Sequence, residues 1–179
     1  MIQEKYPKVF TWLFIGLIAI FFSTRLHKMS KLTAIICYII YSFLTGITFG
    51  VIFLAFKLSS IMSIFLITSI VFLAFAVIGM TTKKDLSKMS MWLLMSLLAI
   101  LVAGIVNIFV KSSMLDLIIT IISTIVFIAY IIYDMKNAEY IIREVGEDKG
   151  AIYGAFQLYL DFINLFINLL KLLGKANDN

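Results

Sequence analysis

The chain is 179 residues long, 63% hydrophobic and only 14% charged, with a mean hydropathy of +1.08, a balance that a water-soluble domain of this size does not tolerate. Its formal net charge of +5 does not indicate nucleic-acid binding, because the basic residues stand in short clusters between apolar runs, where membrane topology is their ordinary explanation. One cysteine, Cys37, and one histidine, His27, rule out an intrachain disulfide and a Cys/His metal cluster, and neither a Gly-rich phosphate loop nor a nucleophile elbow occurs.

Long apolar runs with a single proline point to helices rather than to an alternating outer-membrane barrel. Six segments are expected to cross the bilayer: Val9–Thr24, Leu32–Phe56, Ser59–Met80, Met89–Val110, Met114–Tyr133 and Ala151–Leu173. Most match the ~20 residues that a ~30 Å hydrocarbon core requires, and the first is short. The connections are too brief for a separate soluble domain, so residues 1–179 read as one all-α integral membrane domain. Arg25, Lys28 and Lys31 follow the first segment, Lys83, Lys84 and Lys88 follow the third, and Lys136, Arg143 and Lys149 follow the fifth. The alternate connections carry only Lys57 and Lys111. The asymmetry places the first set in the cytoplasm and both chain ends outside.

Several polar residues have plain structural readings. Ser113 with Asp116, and Thr82 with Asp85, fit capping boxes ahead of the fifth and fourth segments. His27 sits in a basic loop and is read as solvated. Trp12 and Trp92 lie near segment ends, where interfacial anchoring is the default. Gly46, Gly50, Gly79 and Gly104 are expected to permit close helix contact.

The last segment is different. Within GAIYGAFQLYLDFINLFINLLKLLG it carries Gln157, Asp161, Asn164, Asn168 and Lys171, which fall within roughly 80° of arc at 100° per helical residue. An ionisable group facing hydrocarbon costs at least ~2.5–3.5 kcal/mol, so the stripe must face protein or water. It reads either as a set of interhelical hydrogen bonds or as the lining of an ion or proton path.

Asp161 needs a partner, and Asp134 is the candidate. The fifth apolar run ends in IIYDMKN, continues as an amphipathic helix through NAEYIIREV and breaks at GEDKG. A hairpin turning there has its centre near Glu147–Asp148, and the midpoint of positions 134 and 161 is 147.5. The two aspartates should therefore stand at matching height on adjacent antiparallel helices, ~16–20 Å from the turn. Two carboxyls within hydrogen-bonding reach in a partly dry site share one proton and titrate in separate steps. Protonation holds the helices together and loss of the shared proton drives them apart, a pH-biased latch. Once charged, Asp134 and Asp161 also offer hard oxygens for transient calcium contact. Because Asp134 closes an apolar run, the pair is expected at the bottom of a water-filled cytoplasmic vestibule.

The chain resembles the Bax inhibitor family of membrane proteins. LYLDFINLFINLLKLLG (Leu158–Gly174) is similar to the family's last-helix signature, IIYDMKN to the end of the preceding helix and TTKKDLSKM (Thr81–Met89) to its central cytoplasmic loop; FLTGITFG (Phe43–Gly50) and VNIF (Val106–Phe109) add weaker support. The resemblance implies a calcium-leak channel in which Asp134 and Asp161 form the pH sensor, and a role for Asp85 beyond capping. It implies calcium as permeant ion, no resident cofactor, no enzymatic activity, and the lipid bilayer and other membrane proteins as partners. The corresponding location is the plasma (inner) membrane in a bacterium, or the endoplasmic reticulum or Golgi in a eukaryote or virus. Such proteins usually show seven helices, so six implies that the first is absent. In bacterial relatives an acid in the second helix pairs with a late basic residue of the last helix. Here no acid lies between Glu4 and Asp85, and Lys171 is expected to snorkel to the far interface. The rival function is a non-conducting interaction protein that modulates a membrane protease or a cell-death or stress partner.

Overall fold

The computed structural model describes residues 30–175, so the expected segment Val9–Thr24, with Trp12, Arg25, His27 and Lys28, lies outside the described residues. Five helices follow one another: α1 Lys31–Phe53, α2 Leu58–Thr81, α3 Met89–Val110, α4 Ser113–Val145 and α5 Glu147–Leu173, with no strand among the described residues. The all-α class holds among the described residues, where five of the six expected segments appear as helices; the sixth, Val9–Thr24, lies outside them. Four helices, α2 to α5, are long and apolar enough to cross a membrane, and α1 contains the shorter apolar stretch Leu32–Phe43.

Local chemistry sets the boundaries, and it corrects two expected caps. The N-cap of α4 is Ser112, not Ser113: its Oγ accepts from the Leu115 backbone N–H at 3.2 Å. Asp85 caps no helix, because α3 begins at Met89 after Lys88 without a side-chain cap. Its Oδ1 instead accepts from the Ser87 N–H at 2.9 Å inside the α2–α3 loop. That bond holds the exposed Asp85 carboxyl below the usual carboxylate range. Before α4, the buried Asn107 accepts from the Ser112 N–H at 3.0 Å and ties the turn together.

α4 runs unbroken past Asp134 to Val145, where Glu139 bridges Lys136 at 3.1 Å and Arg143 at 2.6 Å on an exposed face. A single residue, Gly146, then joins α4 to α5 with φ of 90°, a backbone state that glycine adopts without strain. The hairpin centre therefore lies at Gly146, just before the expected Glu147–Asp148. The two helices leave the turn almost in contact, since a Cβ on Gly150 would lie 2.5 Å from Ile142 Cα. Gly79 likewise admits α4, its absent Cβ falling 2.6 Å from the Ile132 carbonyl oxygen. Among the described residues, nothing lies within 4 Å of the Cβ position of Gly46, Gly50 or Gly104, so no close contact is seen there.

α5 is the hub. Its Phe156 and Leu160 pack with Ala34 and Tyr41 of α1. Its Phe166 and Leu170 pack with Phe49 of α1 and Ile61 and Ile64 of α2. Its Leu165 packs with Ala76 of α2 and Ile131 of α4. The chain beyond α5 is tied back to the α1–α2 link, where the Lys175 N–H donates to Ser60 Oγ at 3.0 Å and Lys57 donates to the Lys175 carbonyl at 3.1 Å.

Candidate functional site

The seam between α4 and α5, the most extensive helix contact among the described residues, carries the candidate site. α4 buries Thr120, Ser123, Phe127, Ile131 and Asp134, a line of three- and four-residue steps that keeps one face turned inward. α5 answers with Gly150, Gly154, Asp161, Leu165 and Asn168.

Asp134 and Asp161 meet across this seam as the hairpin count predicts. Their carboxyls lie within hydrogen-bonding reach of one another, and a bond between them requires one of the two to carry the proton. Both are buried, with 4% and 3% of their surface exposed, so no open vestibule reaches them among the described residues. That corrects the expected water-filled approach. The helices close on the pair because Gly150 and Gly154 draw α5 onto Ile142 and Ala138 of α4. Tyr130, one turn before Asp134, stands within electrostatic reach of both carboxyls.

The rest of the stripe divides in two. Asn168 and Lys171 cross to α4. Asn168 donates through Nδ2 to Ser123 Oγ at 2.8 Å in a buried contact, and Lys171 Nζ lies 3.9 Å from Asp116 Oδ1 with both side chains about half exposed. Lys171 thus does more than snorkel, and Asp116 is more than a cap. Asn164 and Gln157 do not cross. Asn164 turns back to the Leu160 carbonyl of its own helix at 2.7 Å. Gln157 Oε1, like Asp161 Oδ2, is a buried acceptor with no hydrogen-bond partner among the described residues.

No group of three or more His, Cys, Asp or Glu side chains gathers among the described residues. Two carboxyls and the Gln157 oxygen fall short of the 6–8 oxygens of a resident calcium site. Asp85 lies apart, in the exposed α2–α3 loop. Sequence reasoning missed Ser123, Tyr130 and the apolar pair Ile131 and Leu165. The four- and three-residue steps from Asp116 through Thr120 to Ser123, three helical turns before Asp134 on the same face of α4, are the available signal for Ser123.

Comparison with known proteins matches residues 1–178 to the family described as "Inhibitor of apoptosis-promoting Bax1". The chain is 38% identical over 162 residues to an uncharacterized protein of Borreliella burgdorferi, covering 88% of this chain and 70% of that one. It is 36% identical over 167 residues to the inner membrane protein YbhL of Escherichia coli K12, covering 88% and 70%. An uncharacterized protein of Rickettsia prowazekii is 36% identical over 183 residues, covering 99% of this chain and 77% of its own length.

Proposed function

From the premise that the chain belongs to the Bax inhibitor family of multi-pass integral membrane proteins, we propose that it is a pH-sensitive cation leak with calcium as its ion, gated by Asp134 and Asp161. The observation that carries this reading is the buried carboxyl pair, held face to face between the two most extensively packed of the described helices. A shared proton closes the contact. Loss of that proton leaves two like charges, which at ~4 Å and an effective dielectric of ~20 repel by about 4 kcal/mol. Such a bias changes a closed-to-open ratio by roughly a thousandfold. Low pH therefore holds the hairpin shut, and rising pH opens it. Asp134 and Asp161 offer oxygens to the passing ion, and Gln157 Oε1 adds a third on the same helix face. The reading assigns no covalent step and no resident cofactor.

Calcium flux into liposomes holding the purified protein, scanned over pH, tests it. Leak above that of protein-free vesicles, rising with pH, is expected. Absence of leak at every pH would overturn the conduit and leave the non-conducting interaction protein as the better reading.

A further inference from the structure

The α4–α5 seam changes character along its length. Moving away from Gly146, the buried Gln157 oxygen comes first and then Asp134 with Asp161. Next come Ile131 and Leu165, each with 0% of its surface exposed and closed against Ala76 of α2. Beyond them lie Ser123 with Asn168 and then Asp116 with Lys171. Leu165 stands between Asp161 and Asn168 on α5, and Ile131 between Asp134 and Ser123 on α4, so the apolar layer separates polar groups about 10 Å apart along α5 and about 16 Å apart along α4. A narrow apolar constriction between polar zones excludes water, and an ion cannot cross it without its hydration.

We propose that Ile131 and Leu165, sealed by Ala76, are the dry septum of the ion path and set its leak rate. The proposal rests on the conduction reading above and adds to it the place where conduction stops. It also says how the carboxyl pair acts at a distance. Ile131 lies three residues from Asp134 and Leu165 four from Asp161, about one helical turn away on each side, so parting the carboxyls parts the septum. Gly79 sets α2 hard against the Ile132 carbonyl, which holds Ala76, one turn earlier on α2, near the same layer and leaves little slack for water to enter.

The test separates wetting from packing. Leu165→Asn keeps the size and branching of the side chain while making it polar. Ile131→Val and Ile131→Thr have nearly the same shape and differ by a hydroxyl. Wild type and the three variants are compared by calcium flux into liposomes at one fixed pH, with monodispersity and unfolding temperature measured in detergent. Leu165→Asn should raise the leak at least about tenfold and Ile131→Thr several-fold, while Ile131→Val stays within about twofold of wild type. The Thr effect is the smaller because helical Thr hydroxyls bond their own backbone, as Thr45, Thr68 and Thr120 do here. A leaky Leu165→Asn over a silent wild type also supports the septum. If wild type leaks and both polar variants merely match it, the septum falls while the conduit stands. If nothing leaks, both fall. Should Leu165→Asn fail to give monodisperse protein, the Val and Thr pair decides, and equal rates overturn the proposal.

Discussion

α3 contains no charged side chain yet buries only Leu93 and Asn107, whereas α5, which carries Asp161, Lys171 and three amide side chains, buries residues along its whole length. In a protein surrounded by water the more apolar helix would occupy the interior. Here the order is inverted because the outer solvent is hydrocarbon, which welcomes Trp92, Phe109 and Val110 at the surface. Polar groups are then the ones with reason to turn inward, toward partners on another helix. Among the described helices, a charge-free one turns most of its surface outward, and the most mixed one holds the bundle together.

The largest effect that would sharpen this contrast is truncation of one aromatic on each helix. Phe156 has no exposed surface and meets Tyr38 and Tyr41 edge-on, with ring centroids 5.6 and 5.3 Å away. Phe156→Ala should cost about 3–5 kcal/mol, and Phe109→Ala, at a residue 79% exposed, should stay within about 0.5 kcal/mol. Unfolding in detergent, followed by temperature, measures both. Equal losses would mean that α3 is packed against something other than lipid.

Placing a carboxyl on α3 comes next. Leu98→Asp puts on an exposed face the group that α5 buries at position 161, and it should cost about 2.5–3.5 kcal/mol because no partner helix answers it. The readout is the yield of membrane-inserted protein, and normal yield would break the assignment of α3 to lipid.

Smaller losses should attend the far half of the seam. Asn168→Leu removes the buried bond to Ser123 and should cost about 0.6–1.7 kcal/mol of thermal stability; a gain would show that the amide serves something other than packing. Lys171→Met touches a looser, half-exposed pair and should move stability by less than about 1 kcal/mol, with high salt erasing the difference.

The smallest expected change lies outside the helices. Asp85 titrates below its usual range because the Ser87 N–H binds its charged form. A depressed folded-state value means the loop contact is intact at neutral pH and weakens only as pH falls through that value. Asp85→Asn should leave unfolding at pH 7 almost unchanged and flatten any loss as pH falls below the ordinary carboxylate range. A large shift at pH 7 would assign the α2–α3 loop a role beyond its turn.

The aspartate pair was legible in the sequence because a hairpin fixes height: counting from the break at GEDKG puts positions 134 and 161 level, whatever the helix rotation. Rotation is what the count cannot supply. Ser123 and Ile131 are ordinary residues in an apolar run, and they become partners of Asn168 and Leu165 only once Gly150 and Gly154 let α5 press against Ile142 and Ala138. The same lack applies at Gly46, Gly50 and Gly104, where the side chain is absent but no described helix makes a close approach. Asp116 was read from its neighbours in sequence as a cap, while Lys171 reaches it from 55 positions away. Local spacing has no term for such a contact.

The measurement that tests the latch most directly is the pH profile of calcium flux in Asp161→Asn, Asp134→Asn and the double variant, with Asn164→Ala as control. Each single variant removes the like-charge coupling but keeps a hydrogen-bonding group, so each should lose most of its pH dependence while still folding. The double variant should be no worse than either single one, because the two residues act as one unit. Asn164 bonds only its own helix, and its loss should leave the pH midpoint where it was. Unchanged pH profiles in both single Asp variants would contradict the account, reducing Asp134 and Asp161 to packing residues.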